Sequence, residues 1–406
     1  MSTSLLYHGF GIVGYQYIRT EYREGAVIFT VSRKKFHLRC PVCKSKRIIK
    51  HGSHLRWFHS LPIGKKATYI KSEVTRVECK DCKTIRQSDI GFADPRFTYT
   101  RALGRYILDL ARYMTIVDVA RHLRLSWDIV KSIQKRYLQK KYEKPDLKGL
   151  NRIAIDEIYV GKNRYLTVVM DIESGAVVFV GDGKGSDALE PFWQRLRRYR
   201  KVKIKAVAID MSPAYIKAVR ENLKEAVIVF DHFHVIKLFN EKTSEFRRKL
   251  FYNTKDLLQK RALKGTRWLL LTAREKLEDK EEQAQRLKQA LELNRPLATV
   301  YYMKEDLRQL WNWIGDKKAA EWHLRSWIAM AQSSGIEMLK KFATTLLNHF
   351  EGILAYFDFD CLSTGPLEGT NSKIKTMQRK AYGYRDMKFF KLKIMALHET
   401  KYALVG

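Results

Sequence analysis

Five strand-like runs between residues 151 and 235 constrain the fold of this chain more than any other feature. The first three follow one another with short gaps, so they can form an antiparallel meander. The last two are each preceded by a stretch with helical spacing. The runs cover residues 153–160, 165–172, 176–182, 205–210 and 226–230. This order predicts an α/β domain with one mixed five-stranded sheet.

Two of these runs end in the same pattern, an apolar residue followed by Ala-Ile-Asp. The aspartates are Asp156 in "IAID" and Asp210 in "VAID". Side chains alternate along a strand, so neighbouring strands would place both carboxylates on one side of the sheet. Burying two acids is costly unless something compensates their charge, and Mg²⁺ prefers oxygen ligands. The alternative is two acids that cap adjacent helices or meet arginines.

A third acid occurs in "GPLEGTNSKIK", where Glu368 stands at the start of a predicted helix. Asn371 and Lys375 follow at i+3 and i+7, so the three side chains share one helical face. We expect Glu368 to complete a metal site and Lys375 to hold a phosphate beside it. The alternative is a glutamate that only stabilises the helix dipole.

Four cysteines near the N-terminus form two CxxC pairs, Cys40 with Cys43 and Cys79 with Cys82. Each pair can place two thiolates on one tetrahedral ion, so we expect one structural Zn²⁺. The 35-residue spacer predicts a small hairpin of its own. A redox role or unrelated structural cysteines are the alternatives. Cys361 is expected only to pack.

The charge balance is strongly basic, with 77 Lys and Arg against 43 Asp and Glu and a formal net charge of +34. Such an excess predicts a nucleic-acid partner. Residues 31–90 carry 16 Lys or Arg and 4 acids, interleaved with aromatics; Arg56 and His59 are the candidates there for DNA contact, against a solvated basic face. The chain has neither a membrane-span pattern nor a secretion signal, which predicts a cytoplasmic protein.

Residues 115–137 have helix-turn-helix spacing. Ser126 is expected to cap the second helix, and Trp127 and Lys131 would then be exposed on that helix and contact DNA. Arg124 occupies the turn position where glycine is common. An ordinary helical hairpin is the alternative.

Taken together, these motifs resemble a known family. The chain is similar to the ISL-three group of bacterial insertion-sequence transposases, which have a ribonuclease-H-like catalytic core. The similar stretches follow in order "CPVC…CKDC", "IAIDEIYVG", "AIDMSPAYIKAV", "AVIVFDHFHVIKLFNE" and "GPLEGTNSKIKTMQRKAYGYRD". The resemblance implies that Asp156, Asp210 and Glu368 are the DDE triad of a DNA transposase.

The resemblance also implies two Mg²⁺ or Mn²⁺ ions, bridged by Asp156 and each held by one of the other two acids. The site would cleave double-stranded DNA at the terminal inverted repeats of an insertion sequence and join the freed 3′ hydroxyl to target DNA. Lys375 and Arg379 would contact DNA near the cut, and the chain would act as a homodimer on DNA. The alternatives are a sequence-specific DNA-binding regulator and a ribonuclease-H-like nuclease without transposition activity.

Five consecutive segments are expected. A basic zinc-binding domain and a helix-turn-helix domain, both DNA-binding, precede the first part of the catalytic core, an all-helical insertion and the final helices of the core. The predicted boundaries are 1–95, 96–145, 150–240, 241–360 and 361–406. Arg198 lies in the basic run 195–205. This run predicts a further contact with the DNA duplex or, alternatively, a solvated helix face.

The motif "FDHFHV" lies outside the triad. Asp231 is expected to cap the following helix, with His234 orienting DNA or the site; direct metal binding by Asp231 is the alternative. Glu157 would point away from Asp156 if the strand is regular. Glu157, Asp231, His234 and Asn371 are therefore predicted to support the metal ligands.

Overall fold

A computed structural model describes residues 5–34, 38–278 and 280–397 of the chain. The chain folds as two units, Met1–Lys144 and Pro145–Gly406, and each unit has hydrophobic cores of its own. Within the described ranges, no helix has both the length and the apolar character needed to cross a membrane.

The first unit begins with a short helix and a five-stranded sheet, formed by α1 (Leu5–His8), β1 (Tyr15–Arg23), β2 (Ala26–Arg33), β3 (Ile48–Ile63), β4 (Lys66–Cys79) and β5 (Ile85–Gln87). The strand order is β1-β2-β4-β3, and β5 pairs with β4. β2 and β4 run parallel, while the other pairs are antiparallel. The expected small hairpin between the cysteine pairs is a long one, because β3 and β4 pair along most of their length.

Three helices complete the first unit: α2 (Arg101–Leu110), α3 (Ile116–Leu123) and α4 (Trp127–Tyr142). The Ser126 hydroxyl caps α4, as predicted, by accepting the backbone N–H of Asp128. Arg124 ends α3 with a φ of 52°, the left-handed conformation that makes glycine common at this turn position. The predicted helix-turn-helix is therefore confirmed.

The second unit is built on a mixed sheet with the strands β6 (Arg152–Gly161), β7 (Arg164–Asp171), β8 (Val177–Asp182), β9 (Ala206–Ile209) and β10 (Val227–Phe230). Their order is β10-β9-β6-β7-β8. β6, β7 and β8 form an antiparallel meander, and β9 and β10 run parallel to β6. The predicted mixed five-stranded sheet is confirmed. The crossovers to β9 and β10 contain α5 (Glu190–Leu196) and α6 (Pro213–Asn222).

A long series of helices follows β10: α7 (His232–Asn253), α8 (Leu257–Leu263), α9 (Arg267–Leu271), α10 (Glu275–Glu278), α11 (Glu281–Glu292), α12 (Arg295–Gln309), α13 (Lys317–Ser333), α14 (Glu337–Asn348), α15 (Phe350–Asp358), α16 (Gly365–Lys380) and α17 (Met387–Met395). Three of them return to the sheet, where α15 contacts β10, α16 contacts β6 and α17 contacts β8. The sheet and many of these helices share one large apolar core.

The contact between α15 and β10 generates a stability prediction. A Cβ on Gly352 would lie 2.5 Å from ring carbons of Phe230 and 3.2 Å from the carbonyl oxygen of Ile228. Gly352→Ala should therefore lower the free energy of unfolding by about 1–3 kcal/mol, as overpacking does. Urea denaturation would measure the change. Gly369→Ala is the matched helical control, because its Cβ would meet no atom within 4 Å. An equal loss in both variants would contradict the packing argument.

Candidate active site

Three acids meet at one edge of the mixed sheet. β6 and β9 are in register at Ala154 and Ala208, and β9 and β10 are in register at Ile209 and Phe230. Continued by one or two residues, this register aligns Asp156, Asp210 and Asp231. Asp210 and Asp231 directly follow the ends of β9 and β10, whereas Asp156 lies in the middle of the longer β6. The three side chains therefore meet beside the carboxyl ends of β9 and β10, where ligands of open α/β sheets commonly bind.

Asp156 is partly buried, and each of its two carboxylate oxygens accepts one hydrogen bond. The side-chain amide of Asn371 donates to Oδ2 at 2.7 Å, and the backbone N–H of Glu157 donates to Oδ1 at 2.8 Å. Burial raises the pKa of Asp156 to about 6; Asp210 and Glu157 raise it further, whereas the Glu157 N–H and His234 lower it. The site is therefore short of positive charge, and a cation there would favour the ionised carboxylate.

Asp231 is completely buried. The hydroxyl of Thr364, just before α16, donates to its Oδ2, and Nδ1 of His234 lies 3.2 Å from the same oxygen. Burial raises the pKa of Asp231, but contacts with His232, His234 and Thr364 outweigh burial and hold the pKa below its usual range. Asp231 occupies the N-cap position of α7, as predicted, but its side chain makes no capping hydrogen bond to that helix. It ties the start of α16 to the end of β10 instead.

Glu368 joins this group from the first turn of α16. One ligand atom from each of Glu368, Asp231 and His234 lies within 4.8 Å of the other two. Burial lowers the pKa of His234, but Asp231, followed by Asp156 and Asp210, raises it above its usual value. Six of the seven side chains predicted at or around the metal therefore lie near one another, namely Asp156, Asp210, Asp231, His234, Glu368 and Asn371.

The closest grouping differs from the predicted triad. Among the residues that the structure describes, the metal-ligating groups that converge within 4.8 Å are Asp231 with His234 and Glu368, and the four cysteines. Asp156, Asp210 and Glu368 do not converge to that degree. The Oδ1 atom of Asp210 accepts the backbone N–H of Ser212 at 3.0 Å.

The donor atoms suit a divalent cation. Asn371 Oδ1 is buried and has no hydrogen-bond partner in the described part of the chain, and Asp231 Oδ1 has Nδ1 of His232 at 3.3 Å. Carboxylate and amide oxygens are the ligands that Mg²⁺ and Mn²⁺ prefer, and an imidazole also suits transition metals. The residues present therefore fit a divalent metal ion.

The remaining candidates of the second unit lie outside this cluster. Oε2 of Glu157 lies 3.4 Å from the hydroxyl of Tyr215 on α6. Asp156 instead accepts a hydrogen bond from Asn371 on α16, so the two neighbouring acids contact different helices. Lys375 and Arg379 are exposed on α16, and Arg198 is exposed after α5. Their exposure leaves them accessible to a polyanion, and their DNA contacts stay predictions.

The four cysteines of the first unit converge as the CxxC spacing predicts. Cys40 Sγ lies 3.6 Å from Cys82 Sγ, and Cys43 Sγ lies 3.4 Å from Cys79 Sγ. A tetrahedral Zn²⁺ with Zn–S bonds of about 2.3 Å places its sulfurs roughly 3.8 Å apart, so the group fits zinc. The backbone N–H of Cys43 lowers the pKa of the Cys40 thiol to about 6. The backbone N–H of Ser45 lowers the pKa of the Cys43 thiol, but contacts with the other three cysteines and burial outweigh it and raise that pKa to about 12. Cys361 packs against the core of the second unit.

The two DNA candidates on β3 have internal partners. The Arg56 guanidinium donates to the carbonyl oxygens of Pro95 and Phe97, the latter at 2.9 Å, and therefore ties the sheet to the following loop. His59 is 8% exposed and its ring lies beside that of Tyr69. This burial argues against phosphate contact by His59.

Of the two candidates on α4, Trp127 is exposed as predicted, whereas Lys131 is only partly exposed. Trp127 is 53% exposed at the start of the helix, and Nζ of Lys131 lies 5.9 Å from the centre of its ring. Val130 and Ile133 on the same helix are buried. The helix thus packs through one side and presents Trp127 on the other, as a recognition helix does.

Sequence reasoning missed Thr364 and did not predict that it binds the Asp231 side chain. A usable signal was present, because Asp231 follows the last strand-like run as Asp210 ends the one before it. The spacing of Asp231 and His234 also matches one helical turn. Nothing in the sequence around Thr364 indicates its distant partner.

Three family models match the chain. A model described as a transposase matches residues 153–394, and one described as the helix-turn-helix domain of transposase family ISL3 matches residues 89–138. A third, described as the zinc-finger of the IS204/IS1001/IS1096/IS1165 transposases, matches residues 38–82.

Curated relatives agree with these models. The transposase for insertion sequence element IS1001 of Bordetella parapertussis is 32% identical over 361 residues, which cover 88% of each chain. The transposase for insertion sequence element IS1557 of Mycobacterium tuberculosis is 28% identical over 372 residues, which cover 86% of this chain and 82% of the relative. Since the first model spans more than half of the chain and both relatives align along most of it, the chain belongs to the ISL3 family of transposases.

Proposed function

We propose that the chain is a DDE transposase that binds the terminal inverted repeats of an insertion sequence, cleaves DNA there and transfers the freed strand to target DNA. The observation that carries this proposal is the acid cluster at the edge of the mixed sheet, to which α16 adds Glu368. An enzyme of this kind needs several carboxylates around a phosphate, and a purely structural DNA-binding protein does not.

The core is proposed to be ribonuclease-H-like. Support comes from the sheet, in which an antiparallel meander of β6, β7 and β8 is followed by two strands parallel to β6. The helices from the middle of α7 to α15, over residues 241–360, are proposed as an insertion, and residues 361–406 as the return to the core that begins at 150–240. The contacts of α16 with β6 and of α17 with β8 support that return.

Asp156, Asp210 and Glu368 are proposed to hold two Mg²⁺ or Mn²⁺ ions, and Asp231 and His234 lie close enough to Glu368 to support it. When bound, such ions lower the pKa of the attacking water and neutralise charge on the phosphate. The amide of Asn371 fixes the orientation of Asp156. Thr364 and Asp231 fix the start of α16, so Glu368 is positioned before DNA arrives.

DNA recognition is proposed to lie in residues 1–95 and 96–145, through the zinc-binding sheet and the exposed side of α4. The proposed partners are double-stranded terminal repeats, target DNA and a second copy of the chain, because two element ends must be paired. The proposed location is the cytoplasm, where bacterial DNA is accessible.

The central test is strand cleavage of DNA that carries the element's own ends, with Mg²⁺ or Mn²⁺. Asp210→Asn should lower the cleavage rate on the order of 100-fold or more, because charge stabilisation at the phosphate is lost. Asp358→Asn, an exposed acid on α15, is the matched control and should cleave normally. End binding without cleavage in the wild type would indicate a regulator, and unimpaired cleavage by Asp210→Asn would mean that other carboxylates act.

A second prediction concerns zinc. Cys79→Ser removes one of four thiolates, so the purified chain should lose its zinc and its binding to element ends, because structural zinc sites contribute directly to folding. Cys361→Ser, outside the cluster, should keep one zinc per chain. Metal analysis by mass spectrometry and a gel-shift assay would measure both quantities. Full zinc occupancy in Cys79→Ser would contradict the assignment.

A further inference from the structure

A large cavity opens beside the acid cluster in the second unit. Its volume is about 870 Å³, within the range of roughly 300–1,000 Å³ that holds small-molecule-sized groups. One face of α7 lines much of it, and the lining starts at His232, the residue after Asp231. The cavity is therefore adjacent to the proposed site of cleavage.

Aromatic side chains form the end of this cavity near the acids. The ring of His232 lies 4.0 Å from that of Phe233, 5.7 Å from that of Trp311 and 5.5 Å from that of Tyr356, measured between ring centres. Phe233 is 50% exposed, so part of its ring is open to a ligand. Clustered ring faces of this kind provide stacking surfaces for nucleic-acid bases.

Polar groups in the same cavity lack partners. Trp311 is 7% exposed, and its Nε1 donor has no hydrogen-bond partner within the described residues. The same holds for the Oδ1 acceptor of the partly buried Asn240. A buried donor and acceptor without partners are costly unless a ligand satisfies them. The edge of a base offers both kinds of group.

The charge of the lining is also informative. Four basic and two acidic side chains line the cavity; on α7 the exposed Lys237 lies one turn from Phe233, and the exposed Arg248 lies about four turns from it. An uncharged apolar ligand would not use these cations, and a free phosphate would not use the rings. A nucleotide uses both, with the base on the rings and the phosphate on the cations.

We propose that this cavity binds one unpaired nucleotide of the DNA strand next to the scissile phosphate, which leaves the duplex to enter it. The inference rests on the proposed function and adds a ligand-binding site to it. Extrusion costs base pairing and stacking, and stacking on the protein rings offsets that cost. The pocket would thereby open the duplex at the cut and hold the strand beside the acids.

The test compares Phe233→Ala with the wild type on element ends that are fully paired or carry an abasic site at successive flanking positions. Loss of one stacking surface should slow cleavage of paired ends about tenfold. An abasic site at the extruded position should bring the variant close to the wild-type rate, because no base then has to leave the stack. Trp322→Ala removes a 71% exposed ring that does not line the cavity and should cleave paired ends normally. Phe233→Tyr keeps a stacking ring and should cleave paired ends faster than Phe233→Ala.

Equal slowing of Phe233→Ala on paired ends and on every abasic substrate would overturn the proposal. Photo-crosslinking with 5-iodouracil at the same flanking positions provides a second readout that needs binding only. Crosslinks to residues 232–248 or 311–312 are expected, and crosslinks confined to other segments would also overturn it. A wild-type chain that neither binds nor cuts element ends would instead contradict the proposed function itself.

Discussion

The burial of neighbouring carboxylates at the edge of the mixed sheet is the constraint on which the second unit depends. Asp156, Asp210 and Asp231 are aligned by the register of three parallel strands, so the fold itself forces their charges together. Burial is the largest cause of the raised pKa of Asp156, and repulsion from Asp210 and Glu157 adds to it. Asp231 differs, because Thr364 and two histidines keep it ionised despite complete burial. A site of this kind is stable only with compensation from hydrogen bonds and cations.

Two hydrogen bonds connect these carboxylates to α16. Asn371 reaches Asp156, and Thr364 reaches Asp231, so α16 is fastened to two strands at once. Glu368 lies between Thr364 and Asn371 in the sequence, so these two contacts position it at the cluster. Along the described residues of the chain, nine helices separate Glu368 from β10. The same series forms the cavity that begins at His232. The position of the helices after β10 thus determines both the third acid and the proposed nucleotide pocket.

Local sequence patterns predicted the parts of this protein that depend on local physics. The sheet follows from the order of strand-like runs, the CxxC spacing predicts the thiolate group, and Ser126 caps α4 as its position suggests. Contacts between distant residues were not predictable in this way. The partner of Asp231 is Thr364, 133 positions away, and His59 is buried by a neighbouring ring. Such contacts arise from tertiary packing, which periodicity and spacing do not encode.

The most direct test of this account is thermal unfolding of the wild type and Asp156→Asn between pH 5 and 8, with and without Mn²⁺. The pKa of Asp156 is raised from 3.8 to about 6, so the folded state binds the proton more tightly than the unfolded state does. The wild type therefore loses stability as the pH rises from about 4 to 6, and the loss is complete above pH 6. The metal-free asparagine variant should therefore be more stable than the wild type at pH 7, by about 1–3 kcal/mol. Mn²⁺ should stabilise the wild type increasingly above pH 6 and the variant little. A less stable variant, or equal stabilisation of both by Mn²⁺, would contradict a cluster built around a cation.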